Sequence, residues 1–244
     1  MKNYVLASAG IVFMYILPVA KAQDANQILK GVDDITFAPK DQKSNIKIIL
    51  IDKNGKEKTR EASVIQKGSD KRLFRFTSPA SQAGIAFLSL PDDIMYLYLP
   101  AFGKERRIAT HVKNQKFAGT DFSYEDMESK PLAEKYSPKL LKTENNAFVL
   151  ELIPKPGIRI DYSRIIVSVN KENNCAENFE FYDKSGGKVK IMVSEFEKIG
   201  GYWTQKEITM TDLIKNHKTK MIMSEVHFDN DFSDDEFTVR KLKQ

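Results

Sequence analysis

Histidine, cysteine and clustered acidic side chains are the groups in this chain that could bind a metal or carry out catalysis. The three histidines, His111, His217 and His227, lie in no HExxH or HxH pattern, so their spacing predicts no zinc site. Cys175 is the one cysteine and has no histidine near it in the sequence, which makes it more simply a turn or strand residue than a nucleophile. A single cysteine also excludes an intrachain disulfide and a four-cysteine zinc site.

The acidic run at residues 229–236 begins like a calcium-binding loop. It departs from that pattern where Asp234 replaces the required glycine and where Arg240 replaces the bidentate acid. The simpler interpretation is a helix start, with Ser233 as the cap and acidic side chains near the positive helix end. The sequence also has no GxSxG, GxxxxGK[ST] or GxGxxG motif. We therefore predict a protein that is not an enzyme, with no catalytic residue, cofactor or metal.

The first 22 residues have the pattern of a secretory signal peptide. Lys2 precedes an apolar stretch from residue 4 to residue 19, and Ala20-Lys21-Ala22 supplies a small-x-small cleavage pattern. The alternative is a retained membrane anchor, but the stretch is shorter than the ~20 apolar residues that span hydrocarbon. We predict cleavage after Ala22 and one domain over residues 23–244, located in the periplasm or outside the cell.

The charge of the chain is weakly positive, with 38 basic and 33 acidic residues and a formal net charge of +5. Basic and acidic residues alternate, as in the stretch Lys53–Lys58, which is typical of a solvated surface. A nucleic-acid footprint would concentrate basic residues on one stretch, so we predict no nucleic-acid partner.

The elements that must position any site are mostly β-strands. About a dozen β-rich segments are separated by turn signals such as Asn54-Gly55 and Ser185-Gly186-Gly187, a pattern typical of an antiparallel meander. Because twisted sheets of this size curl, a strongly curved sheet or incomplete barrel is expected. We predict only short helices: residues 24–34, a helix opened by the Ser123–Asp126 capping box and closed by Pro131, residues 132–136, and a final turn at 233–236.

Two strands, residues 85–90 and 94–99, are apolar on both faces and so need cover on both sides. Two interpretations follow. The strands could be packed between short helices and a second layer of protein, without any ligand-binding role. Alternatively, the concave side of a curved sheet could be lined by apolar and aromatic groups that hold an acyl ligand.

Four stretches resemble a bacterial family of outer-membrane lipoprotein-sorting proteins. They are residues 96–108 (YLYLPAFGKERRI), 117–127 (FAGTDFSYEDM), 233–238 (SDDEFT) and the pair Tyr202-Trp203 with residues 208–212. The matches follow one another in a consistent order over most of the chain. The family is similar to the periplasmic lipoprotein carriers, so the resemblance implies an unclosed antiparallel β-barrel of about 11–12 strands. Short helices would cover a hydrophobic cavity for lipid or acyl chains.

The resemblance favours a periplasmic carrier that binds lipid or lipoprotein acyl chains. We predict a monomer, with an inner-membrane transporter as a possible further partner. The alternative is a lipid-sensing regulatory or adaptor protein that docks on an envelope transporter. For the cavity we predict wall residues from the doubly apolar strands and lid residues near the capping box: Phe87, Ile94, Tyr96, Tyr98, Phe122, Tyr124 and Met127. A one-residue error in register would exchange the two faces of the 94–99 strand. Lys104, Arg106 and Arg107 are predicted to contact head groups or a partner, or else to form a solvated strand end.

Overall fold

A computed structural model describes residues 24–244 of the protein, and the predicted signal peptide lies outside these residues. The helices and strands are α1 (Ala25–Thr36), β1 (Asp41–Ile51), β2 (Glu57–Lys67), β3 (Lys71–Ser78), β4 (Ala86–Leu90), β5 (Ile94–Leu99), β6 (Lys104–Arg107), α2 (Leu132–Lys135), β7 (Tyr136–Thr143), β8 (Ala147–Pro154), β9 (Arg164–Asn170), β10 (Ala176–Tyr182), β11 (Lys188–Ile199), β12 (Tyr202–Asp212), β13 (His217–Phe228) and α3 (Val239–Leu242). Short 3₁₀ turns lie at Pro100–Phe102, Thr110–Val112, Phe117–Gly119 and Asp234–Glu236.

All thirteen strands form one antiparallel sheet, with the order β6-β5-β4-β3-β2-β1-β13-β12-β11-β10-β9-β8-β7. The chain runs outward from β1 to one edge, begins again at the other edge with β7, and returns to pair β13 with β1. Within residues 24–244 the edge strands β6 and β7 do not pair, so the sheet is curved but unclosed. This confirms the predicted fold class.

One stretch of chain connects the two edges of the sheet. Residues 108–131, here called the crossing segment, leave the edge strand β6 and lead through α2 into the opposite edge strand β7. Because β6 and β7 lie at opposite edges, this connection has to pass over the open side of the curved sheet.

The N-terminal helix α1 packs on the inner face of the sheet. Ile28, Leu29 and Val32 form its buried stripe and belong to the main hydrophobic core. The Asp24 side chain accepts a hydrogen bond from the backbone N–H of Asn26, which caps the first turn. The predicted helix over residues 24–34 is confirmed, with its end two residues later at Thr36. Among the described residues, none of the helices is long and apolar enough to cross a membrane.

The sheet has apolar cover on both faces at β3, β4 and β5. Its inner face carries the main core, and its outer face carries a second cluster in which Leu73, Ala86 and Leu88 pack against Phe237 and Leu242. These last two residues belong to the C-terminal segment, which lies over the outer face. The predicted need for cover on both sides of the doubly apolar strands is therefore confirmed.

The predicted helix after Ser123 is wrong, although its capping box forms. The backbone N–H of Ser123 donates to Asp126 at 2.8 Å, and the backbone N–H of Asp126 donates to the Ser123 hydroxyl at 3.1 Å. Two helical-type bonds follow, from the N–H of Met127 to the carbonyl oxygen of Ser123 and from the N–H of Glu128 to that of Glu125, and the segment forms no further turn. The N–H groups of Tyr124 and Glu125, which a first helical turn leaves free, donate to the carbonyls of Gln115 and Lys113.

The acidic run near the C-terminus is also only partly as predicted. A 3₁₀ turn covers Asp234–Glu236, but the Ser233 side chain makes no capping bond, and the helix α3 that follows was not predicted. Asp234 pairs with Lys67 at 2.8 Å and with Lys71 at 2.9 Å. These ion pairs tie the C-terminal segment to β2 and β3, which explains the acidic side chain better than a helix end does.

Candidate functional site

The centre of the inner face is an aromatic cluster into which the crossing segment inserts Phe117. Its ring centroid lies 5.2 Å from that of Phe74, 5.8 Å from Phe76 and 5.5 Å from Phe87. These four rings are fully buried. Tyr124, also on the crossing segment, packs against Phe117 with centroids 5.8 Å apart. The space that the family resemblance implies as a hydrophobic cavity is therefore occupied here by the protein's own side chains.

Two arginines on the inner face of the sheet hold the backbone of the crossing segment. Arg60 on β2 donates to the carbonyl oxygen of Ala118 at 2.5 Å, and Arg72 on β3 donates to that of Met127 at 3.2 Å. Arg72 is itself held by Gln66, whose side-chain oxygen accepts two bonds from it. Burial lowers the pKa of Arg72 to about 10 and also lowers the pKa of Arg60. Both side chains thus place a positive charge in an apolar region, and each donates a hydrogen bond to the backbone of the crossing segment.

A second attachment point centres on Asp121, whose side chain is fully buried. Its carboxylate oxygens lie 2.6 Å from Lys116 Nζ, 2.7 Å from His217 Nδ1 and 2.7 Å from the Thr219 hydroxyl. Lys116 also pairs with Asp212 at 2.9 Å. Burial acts to lower the pKa of Lys116, but the hydrogen bonds to these two carboxylates outweigh it and raise the pKa.

This cluster is an anchor rather than a catalytic triad. In a triad the hydroxyl bonds the histidine and the histidine bonds the acid. Here His217 and the Thr219 hydroxyl both contact the same carboxylate, so the hydroxyl is not activated by the imidazole. Because both residues belong to β13, the arrangement fixes the crossing segment to the middle of the sheet.

A third group of charges lies where the crossing segment approaches α2. Glu128 is buried between Lys113 at 3.4 Å and Lys135 at 3.1 Å, and Glu125 lies 3.5 Å from Lys135. Burial raises the pKa of Glu125 to about 7. These residues line a small cleft of about 150 Å³. Among residues 24–244 no group of histidine, cysteine and acidic side chains has the arrangement of a metal site.

The predicted site residues fall on two sides of the sheet. Phe87, Phe122 and Met127 are buried in the main core, and Tyr124 packs against it. The other three predicted wall residues, Ile94, Tyr96 and Tyr98, lie on the opposite, outer face.

The register of the β4–β5 pair decides this placement. Phe87 pairs with Leu97 and Leu88 pairs with Tyr96, so Leu97 shares the inner face with Phe87 while Tyr96 shares the outer face with Leu88. Met95 and Leu97 therefore line the inner side, and the prediction that Ile94, Tyr96 and Tyr98 form one wall with Phe87 is wrong. Their sequence alternation identified two faces but not which one turns inward.

The predicted basic contact residues lie on the edge strand β6. Lys104, Arg106 and Arg107 are exposed, and the Arg106 guanidinium lies 5.6 Å from the ring centroid of Phe102 in the preceding turn. Arg106 pairs with Leu97 and Lys104 with Leu99, so these two share the inner side at the sheet edge, whereas Arg107 pairs with Tyr96 on the outer side. Whether they contact head groups or a partner stays a prediction.

The sequence interpretation missed Phe117, Arg60 and Arg72 as parts of the site. A signal for the arginines was present: Arg72 has the same parity as Phe74 and Phe76 along β3, and Arg60 the same parity as the buried Ala62 of β2. Inward-pointing charges on otherwise apolar faces mark positions that need a partner. Phe117 lies in one of the four stretches that resemble the family, residues 117–127, but this stretch has no regular pattern to orient its side chains.

Comparison of the chain with known proteins identifies its family. A family model described as "uncharacterized protein" matches residues 68–244. A solved structure from Vibrio parahaemolyticus, named for an outer membrane lipoprotein-sorting protein domain, is 27% identical, with 90% of this chain and 98% of that chain covered at a TM-score of 0.84. The chain belongs to the family of outer-membrane lipoprotein-sorting proteins.

Two further solved structures share the fold of the chain. A DUF1329 family protein from Desulfovibrio piger is 28% identical and covers 89% of this chain and 97% of its own, with a TM-score of 0.84. A LolA superfamily protein from Nitrosomonas europaea, 24% identical, shares the fold at a TM-score of 0.77, with 90% of this chain and 100% of that chain covered. None of the curated proteins compared with the chain matches it. The fold of the chain is thus of the lipoprotein-carrier type.

Proposed function

We propose that this protein is a periplasmic carrier that binds lipid or the acyl chains of lipoproteins between the inner face of its sheet and the crossing segment. The observation that carries the proposal is the position of Phe117. A connecting segment places this large apolar side chain among Phe74, Phe76 and Phe87, where a bound acyl chain would meet the same aromatic walls. In this proposal Phe117 occupies the ligand position in the empty protein.

The energetics favour exchange between the two occupants. Each methylene that leaves water contributes about 0.8 kcal/mol, so an acyl chain offsets the loss of one buried phenyl ring after a few carbons. Binding then remains moderate, because displacing Phe117 subtracts from the affinity. A carrier needs this property, since a ligand held too tightly is not released.

The crossing segment is built in a way that allows such movement. Between residues 109 and 131 it contains only short 3₁₀ turns and hydrogen-bonded turns, and its backbone bond to a strand is at its start, from the N–H of Ile108 to the carbonyl oxygen of Met95. Movement of the residues around Phe117 therefore breaks no strand ladder. Besides the apolar packing around Phe117, its attachments are polar contacts to individual side chains. They comprise the two arginine bonds, the Asp121 cluster, and ion pairs with Lys135, Lys190 and Asp93. Local opening of elements with few backbone ladders costs less than global unfolding.

The remaining parts of the proposal follow from the same function. The signal sequence at residues 1–22 and the family favour export to the periplasm, and the acyl ligand would come from lipid or lipoprotein at a membrane. We propose that the protein acts without catalysis and as a monomer, and that an inner-membrane transporter is one source of its ligand.

A fluorescent fatty-acid probe tests the proposal through one change. In Phe117→Ala the ring that competes with the ligand is absent, and we expect the probe to bind several-fold more tightly than to the unchanged protein, with one site per chain. Phe237→Ala is the matched control, because it removes an equally buried ring from the cluster on the outer face. If the two variants bind the probe alike, or if neither they nor the unchanged protein binds it, the proposed site is wrong.

A further inference from the structure

The meander gives the two ends of the sheet opposite charges. Because neighbouring strands are antiparallel, alternate hairpin turns lie at the same end. The turns at one end are residues 52–56, 79–85, 100–103, 155–163, 183–187 and 213–216, and those at the other end are residues 68–70, 91–93, 144–146, 171–175 and 200–201.

The first end is basic and the second is acidic. At the first end the turns carry six basic residues against three aspartates: Lys53, Lys56, Lys155, Arg159, Lys184 and Lys215 against Asp52, Asp161 and Asp183. At the second end they carry the five acids Asp70, Asp92, Asp93, Glu144 and Glu172 against Lys171 alone. The edge strand β6 starts at the first end and adds Lys104, Arg106 and Arg107. The chain as a whole is only weakly basic, so this separation is a property of the fold.

The basic end also carries the two most exposed large apolar side chains among the described residues. Ile214, in the turn between β12 and β13, is 71% exposed, and Phe102, in the turn between β5 and β6, is 63% exposed. Each stands at the tip of a hairpin, where it is not part of a folded core, and each has basic neighbours: Arg106 over the ring of Phe102, and Lys215 beside Ile214.

We propose that this basic end docks on an anionic lipid surface, with Phe102 and Ile214 entering the interface and the basic side chains meeting the head groups. The exposed apolar side chains match the acyl region of such a membrane, and the basic side chains around them match its negatively charged head groups. The attraction between the basic turns and the surface orients the molecule with this end toward the membrane. The proposal rests on the proposed carrier function only for its purpose, because vesicle binding can be measured without any acyl ligand.

The docking end is also where the crossing segment is anchored. Asp212 and His217 flank the turn that carries Ile214, and they hold Lys116 and Asp121 of the crossing segment. A membrane contact at this turn therefore lies next to the attachment that closes the inner site. This places the opening of a carrier beside the surface from which an acyl chain would enter.

Vesicle sedimentation tests the docking. The purified protein is mixed with phosphatidylcholine vesicles that contain or lack phosphatidylglycerol, at low and high salt. We expect binding only to the anionic vesicles, weakened by salt. Phe102→Ser should lower the affinity roughly tenfold, as should Ile214→Ser, and each of Lys104→Gln and Arg107→Gln about fivefold. Val193→Ser is the matched control, because this exposed apolar side chain lies within β11, away from the turns.

A second measurement follows the position of the tip itself. In Phe102→Trp the new indole should shift its fluorescence to shorter wavelength on anionic vesicles, while Val193→Trp should not. Equal binding by the Phe102, Ile214 and Val193 serine variants would overturn the proposal, and so would binding that ignores lipid charge. Absence of vesicle binding, with retention on an acidic protein surface instead, would also overturn it.

The two proposals fail separately. Phe102 and Ile214 lie outside the inner site, so their serine variants should bind the fatty-acid probe as the unchanged protein does. Probe binding without vesicle binding would refute only the docking surface. Vesicle binding without probe binding would refute only the carrier site.

Discussion

The carbonyl oxygen of Ala118 lies 2.5 Å from Nη1 of Arg60, which donates a hydrogen bond to it across the open side of the sheet. The two residues are 58 positions apart in the sequence. Ala118 has a φ of 47°, a left-handed conformation that is uncommon outside glycine. The arginine therefore holds a strained point of the crossing segment, immediately beside Phe117.

Removing this arginine should loosen the crossing segment. In Arg60→Met the aliphatic bulk remains but the donor to Ala118 is lost, and we expect the free energy of unfolding to fall by about 1.5–3 kcal/mol. Hydrogen exchange of residues 108–131 should rise more than that of the strands. Arg106→Met, at an exposed edge position, should change neither quantity. Equal protection of the crossing segment in both variants would show that the bond does not hold it.

Loss of the charge on Asp121 should destabilise the fold strongly. The carboxylate is fully buried and bonds Lys116, His217 and Thr219, so Asp121→Asn leaves buried donors and a cation poorly compensated. We expect a loss of about 3–5 kcal/mol in chemical denaturation. The control is Asp34→Asn, which breaks the exposed pair with Lys30 and should cost less than about 0.5 kcal/mol. Similar losses in the two variants would contradict the anchor.

Glu125 should make stability depend on pH in a defined window. Burial raises its pKa to about 7, above the ordinary value of 4.5, so the folded protein holds a proton that the unfolded chain has released between these values. Stability should therefore fall as the pH rises from about 4.5 to about 7, by about 3 kcal/mol in total, and should then level off.

Denaturation of the unchanged protein and of Glu125→Gln at several pH values between 4.5 and 8 measures this effect. The variant lacks this proton and should decline less over the window than the unchanged protein, while burial of Asp33, which raises its pKa, affects both proteins alike. Hydrogen bonding from Lys130 lowers the pKa of Asp93 below its ordinary 3.8, so its contribution is lost only at lower pH, outside the window. Parallel curves for the two proteins would show that another group is responsible.

Neighbouring residues of β5 should differ in their effect on ligand binding. Leu97 lies on the inner face and Tyr96 on the outer face, so Leu97→Asn should weaken binding of a fatty-acid probe several-fold while Tyr96→Asn should leave it unchanged. Both side chains are partly exposed, so both variants should fold. Circular dichroism checks the folding of each. Weaker binding in the tyrosine variant alone would place the ligand on the outer face.

The sequence by itself determined the strands and the need for cover around them. Period-two alternation and turn residues such as Asn54-Gly55 act over a few positions, so the antiparallel meander could be predicted from local pattern. The two doubly apolar strands predicted cover on both faces of the sheet. The total number of strands, about a dozen, predicted a curved, unclosed sheet. The family resemblance, carried by blocks such as residues 117–127, was also readable before any coordinates.

The tertiary structure alone decided which faces turn inward and what fills the interior. Alternation is symmetric, so Tyr96 and Leu97 exchange roles with a one-residue change in register, and only the pairing with β4 removes this ambiguity. The capping box at Ser123 was a correct local signal, but the residues after it form only a turn and not the predicted helix. Phe117 meets Phe74 and Phe87 because the connection between the two sheet edges must cross the open side, a constraint that exists only once the whole sheet has formed.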